Sequence, residues 1–128
     1  MTEYVVQVPA ELEDELSKSF ASGRIIEFLD DNLSTYSVEF KKVHVDYLKG
    51  AKIEIFSNEH PPPHFRVKYQ GSTANYSIKD CSRVNGSGEV IRFEKNIIKW
   101  WNENKQRLIA IWNERRPSDC PVGVYKES

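Results

Sequence analysis

The sequence predicts an α+β fold, a small antiparallel sheet of three to five strands packed against a long C-terminal aromatic helix, with helices at the N-terminus. Three observations carry this. Leu12, Leu16 and Phe20 recur every four residues, the spacing of an amphipathic helix. From Tyr36 the period changes to two, as in half-buried strands. Near the C-terminus Ile97, Trp101, Leu108 and Trp112 follow a helical stripe.

Taken in order, Tyr4–Val8 reads as a short strand and Pro9 suits the first turn of the helix that follows. Ser22-Gly23 interrupts that helix, and Arg24–Asp31 reads as a second short helix stopped at Asn32. Tyr36, Val38 and Phe40 alternate with polar residues, which predicts a strand. After Gly50, Ala51–Ser57 forms another, with Ile53 and Ile55 on one face. His64–Tyr69 is the next strand, Gly71-Ser72 the hairpin turn, and Thr73–Lys79 the returning strand, with Ala74, Tyr76 and Ile78 on one side. Val84–Gly88, rich in Asn, Gly and Ser, reads as a mobile loop. The C-terminal helix is either continuous or bent near Asn104, within the polar quartet Asn102–Lys105, and Pro117 stops it. Its stripe places Trp101 and Trp112 in the core and Trp100 toward solvent. Residues 1–50 read as an acidic helical and strand extension, 51–119 as the α+β core and 120–128 as a tail, within one compact domain.

A chain of 128 residues suits one domain, and 39% hydrophobic with 29% charged residues excludes general disorder. No signal peptide or membrane span is legible. Cys81 and Cys120 have neither a disulfide framework nor a CxxC spacing, so they read as reduced thiols, consistent with the cytoplasm. The net charge of −1 hides an asymmetry: ten acidic and five basic residues up to Gly50, then nine acidic and thirteen basic. Such a split suits a C-terminal part that meets an anion, although an ordinary solvated surface explains it equally.

The chemistry concentrates around His60-Pro61-Pro62-Pro63-His64. Beyond it, alternation turns Phe65, Val67 and Tyr69 to the core and His64, Arg66 and Lys68 to the other face, at ~6.6 Å intervals. Asn75, Ser77 and Lys79 form the matching polar face across the hairpin. One imidazole with two cations suits a phosphate backbone and proton transfer near neutral pH, whereas a sheet with one solvated face is polar there in any case. Arg92, Lys95 and Lys99 form a basic ridge on the last helix. A metal site at His60 and His64 is disfavoured, because an all-trans polyproline run holds them ~12 Å apart. Only a cis X-Pro bond would bring the imidazoles together. No phosphate-binding glycine loop, serine nucleophile elbow or EF-hand is present, and no cofactor is implied.

The string IEIFSNEHPPPHFRVKY, a polar hairpin and a helix containing WWNENKQRLIAIWNE together resemble the small bacterial family known as domain of unknown function 4160. The resemblance covers about residues 51–119, and Glu59, His60, Pro62, Pro63, His64 and Phe65 match its central motif. Arg66 stands where the family often has a further histidine, a departure that weighs against metal or paired-imidazole chemistry and leaves anion binding intact. The resemblance implies a toxin-like protein of a bacterial two-gene module with a small antitoxin-like partner. On that reading His64 and His60 are the catalytic candidates of a metal-independent, ribonuclease-like activity. Arg66, Lys68, Lys79 and Arg83 would hold RNA, and Glu59, Pro62, Pro63 and Phe65 would shape the motif. The alternative is a non-enzymatic protein-binding module using the proline turn and the aromatic helix. On either reading, the acidic residues 1–50 would mask the basic face or recruit a partner.

Overall fold

The computed structural model describes residues 3–29, 34–39, 50–58 and 62–126, with side chains described outside 26–29 and 34–39. The architecture is α+β, as predicted. In chain order the elements are β1 (Tyr4–Gln7), α1 (Ala10–Ser22), β2 (Arg24–Leu29), β3 (Ser34–Glu39), β4 (Lys52–Ser57), β5 (His64–Tyr69), β6 (Ser72–Ser77) and β7 (Arg83–Ser87). A 3-10 turn at Glu89–Phe93 then leads into α2 (Glu94–Arg115). Among the described residues β1-β4-β5-β6-β7 form a five-stranded sheet, antiparallel at each pairing, and β2 and β3 pair apart from it.

One face of the sheet carries the core. Val6, Ile53, Ile55, Phe65, Val67, Ala74 and Tyr76 point there, and Leu12, Leu16 and Phe20 of α1 and Ile97, Leu108 and Trp112 of α2 close over them. Phe20 stacks on Phe93 at 4.6 Å and meets Tyr69 edge-on at 4.7 Å, joining α1, the 3-10 turn and β5. Where β1 ends, α1 takes over its hydrogen-bonding role. The Ile53 amide donates to Glu13 Oε2 at 2.8 Å and the Ala51 amide to Ser17 Oγ at 2.8 Å. The described part of residues 1–50 therefore supplies a sheet strand and a wall of the core.

Four sequence expectations are corrected. Residues 24–29 are strand, not helix: Ile25, Ile26 and Phe28 favour an extended chain, and Gly23 at φ 116° lets it leave α1 abruptly. Asp30, Asp31, Asn32 and Phe40 lie outside the described residues. The segment read as a mobile loop is mostly β7. Gly86 serves close approach there, since a Cβ would sit 2.8 Å from both Ala74 Cβ and Ile91 Cδ1. The hairpin turn falls one residue early, at Gln70-Gly71, whose φ values of 47° and 76° fit a two-residue type I′ turn.

The tryptophans are the fourth. α2 is continuous, and its buried stripe runs Ile97, Trp100, Asn104, Leu108, Trp112. Asn104 fills a core position by donating to Glu15 Oε1 and to the Trp100 carbonyl, each at 2.9 Å. An asparagine there hid the stripe from any count of apolar residues and shifted the expectation to Trp101. Trp100 is the buried one, its indole N–H donating to the Leu12 carbonyl at 3.1 Å. Trp101 is half-buried, bonded to the Ile78 carbonyl at 2.9 Å and topped by Lys105. Of the basic ridge, Arg92 lies on the 3-10 turn and pairs with Glu89, while Lys95 and Lys99 are exposed on α2.

Candidate functional site, the outer face of the sheet

Register and alternation place His64, Arg66 and Lys68 of β5 on the face opposite the helices. Phe65 and Val67 are fully buried behind them and Tyr69 nearly so. The cross-strand rows on this outer face are Val5–Phe56–His64–Ser77, Gln7–Glu54–Arg66–Asn75–Asn85, and Lys52–Lys68–Thr73–Ser87.

The middle row is a hydrogen-bonded ladder with one residue from every strand. Gln7 Nε2 donates to Glu54 Oε2 at 2.9 Å and Arg66 Nη1 to Glu54 Oε1 at 3.1 Å. Arg66 Nε donates to Asn75 Oδ1 at 3.2 Å, and Asn75 Nδ2 to Asn85 Oδ1 at 2.7 Å. Arg66 also carries a second carboxylate. Its Nη1 and Nη2 donate to Glu3 Oε1 and Oε2 at 3.1 and 2.8 Å, a two-pronged pair. The guanidinium lies 4.3 Å over the Phe56 ring. Lys68 Nζ is 3.3 Å from Glu54 Oε1, so that carboxylate serves two cations.

These contacts set the protonation states. Burial pushes the Glu54 carboxyl up, but hydrogen bonds with Gln7, Arg66 and Lys68 outweigh it and hold it below its ordinary 4.5. The hydrogen bond with Glu3 leads in raising Arg66 further, against the opposing effect of burial. Burial holds the His64 imidazole below its ordinary 6.5, so at neutral pH it is an uncharged ring. It stacks on Phe56, with centroids 5.5 Å apart and planes at 26°.

This has a measurable consequence. A histidine depressed in the folded state costs no stability while neutral in both states, and it becomes destabilising once the unfolded chain takes up a proton and the folded one resists. Wild-type stability is therefore expected to fall as pH drops below about 6.5, and His64→Gln to flatten that slope. Urea titrations of both proteins above and below that pH decide it, and parallel curves would refute the assignment.

The remaining predicted residues scatter. Arg83 pairs with Glu94 at the start of α2, Nε to Oε1 2.9 Å, on the helix side of the sheet and away from Arg66 and Lys68. Lys79 lies beyond the end of β6, its amide bonded to Ser77 Oγ at 3.2 Å. Pro63 is buried and its carbonyl accepts from the Ile78 amide at 3.1 Å, while Pro62 is half-buried. Glu59, His60 and Pro61 lie outside the described residues. Among the described residues no cluster of His, Cys, Asp and Glu could hold a metal ion. Burial, then Glu94 and Asp80, push the Cys81 thiol up to about 12; it is buried and free, as is Cys120. No described helix is long and apolar enough to cross a membrane.

Sequence reading missed Glu3, Gln7, Glu54, Phe56 and Asn85. Glu54 was detectable, because it alternates with Ile53 and Ile55 on the strand that precedes the motif. Its pairing with Arg66 depends on a register that the turn between β4 and β5 sets.

Among the described residues, fold and face define an α+β protein with one sheet face packed against two helices and the other carrying a ladder of paired polar groups. The chain belongs to the family described as domain of unknown function 4160, whose model matches residues 50–113. That span runs from just before β4 to near the end of α2 and leaves out β1, α1, β2 and β3. Comparison with curated proteins and with solved structures finds no match in either.

Proposed function

We propose that this chain is a non-enzymatic protein-binding module whose partner is a small protein encoded by a neighbouring gene. The observation that supports this most is the internal pairing of the outer face. Arg66 is held by Glu3 and Glu54, and Lys68 by Glu54. A phosphate backbone, charged at every nucleotide, meets the Glu54 carboxylate between these two cations even where Glu3 gives way. A protein surface instead matches a face of mixed sign, with a neutral imidazole stacked on an aromatic ring. Ribonuclease-like action would need His64 to share a substrate with free cations, and Arg66 and Lys68, which follow it on the same face of β5, are already paired.

Co-expression with the product of the adjacent gene is expected to give a stable complex that co-purifies. The chain alone is expected to leave single-stranded RNA unshifted in gels and growth unaffected. RNA binding that weakens steeply with salt, or growth arrest relieved by His64→Ala, would establish the RNA-directed reading instead.

A further inference from the structure

Arg66 is built as a receptor for a carboxylate. Phe56 lies beneath its guanidinium, Asn75 holds Nε and Glu54 takes one bond from Nη1, so the side chain is fixed and only 17% exposed. What remains is the outward edge of Nη1 and Nη2, and Glu3 occupies it. Glu3 is the least anchored member of the arrangement. It precedes the first paired residue of β1, and its side chain is 38% exposed against 13% for Glu54. The adjoining row repeats the polarity. Lys52 and Lys68 stand directly opposite each other on β4 and β5, their side chains 70% and 49% exposed. Like charges so placed repel unless an anion lies across them. Glu54 Oε1 lies 3.3 Å from Lys68, and Glu13 Oε1, whose other oxygen accepts from the Ile53 amide, lies 4.0 Å from Lys52, so each lysine has one carboxylate beside it and keeps an exposed side for a further anion.

We propose that Glu3 is an internal stand-in for the partner, and that the partner presents an extended acidic segment whose carboxylate replaces Glu3 on Arg66. A second carboxylate two residues along, ~6.7 Å away in an extended chain, falls over the lysine row. This deepens the protein-binding reading above and rests on it. Occupation of Arg66 by Glu3 lowers the apparent affinity for any competing carboxylate by the fraction of time the edge is closed.

The test is fluorescence anisotropy on the full chain with a labelled peptide of alternating glutamate and serine. A glutamine-for-glutamate peptide and an oligouridylate serve as the other arms. Glu3→Gln is expected to tighten the acidic peptide about tenfold by removing the competitor. Arg66→Lys, which loses the fork, and the exposed Lys68→Gln are each expected to weaken it about tenfold. Unchanged affinity in Glu3→Gln, equal binding of the glutamine peptide, or a gain confined to the oligouridylate overturns the proposal. If the neighbour-gene complex forms while Glu3→Gln leaves peptide binding unchanged, this inference falls and the protein-binding reading stands. If that complex fails while the acidic peptide responds as described, the two-gene reading falls and the carboxylate receptor stands.

Discussion

Trp100→Ala is expected to destabilise the protein by about 4 kcal/mol, within the range for truncating a large buried aromatic. The indole is 2% exposed, lies 5.9 Å from the Phe65 ring and donates its N–H to the Leu12 carbonyl. Truncation opens a cavity where α1, α2 and β5 meet, and elements this rigid collapse only partly into it. The neighbouring Trp101→Ala is the matched control. Trp101 is half-buried and also bonded, so its loss is expected to cost about 1–2 kcal/mol. Equilibrium urea unfolding of both variants measures the difference. A larger loss at Trp101 would mean that α2 is rotated by about a residue from the orientation described.

Asn96→Leu is expected to cost about 3 kcal/mol, although it keeps the size of the side chain and adds apolar surface. Asn96 is 1% exposed and every hydrogen-bonding group it has is used. Oδ1 accepts from the Ile25 amide at 3.0 Å, and Nδ2 donates to the Gly23 carbonyl and Ser19 Oγ at 3.0 Å, with the Ser19 carbonyl at 3.3 Å. One side chain thus satisfies the backbone exactly where it leaves α1 and enters β2. Leucine would leave the Ile25 amide without its acceptor and the Gly23 carbonyl without its donor, a penalty that added burial does not offset. Urea unfolding gives the magnitude. Hydrogen exchange adds location, with faster exchange expected first at Ile25. A neutral Asn96→Leu would show that water replaces these bonds and that the β2–β3 ribbon does not depend on them.

Local pattern made much of this fold legible. Leu12, Leu16 and Phe20 gave α1 through spacing, and Phe65 and Val67 gave the inward face of β5 through alternation, because burial on one side imposes those periods. Failures arose where a residue serves a neighbour distant in sequence. Asn104 read only as part of a polar quartet and Asn96 drew no reading, and both are buried because α1 supplies partners for them. Gly86 read as flexibility and is required by Ala74 and Ile91. At the candidate site the same division holds. His64, Arg66 and Lys68 share a face, as alternation required, but the carboxylates that neutralise two of them come from the residue before β1 and from β4, through pairings that no local window contains.

Glu13 and Ser17 reach from α1 to the backbone of Ile53 in β4 and of Ala51 just before it, across the line at which the family match begins. Similarity and structural self-sufficiency therefore have different borders in this molecule. A chain cut to the matched span would leave the Ala51 and Ile53 amides to water and bare the apolar flank that Leu12, Leu16 and Phe20 cover. It must recruit a replacement from another polypeptide before that sheet can exist in water.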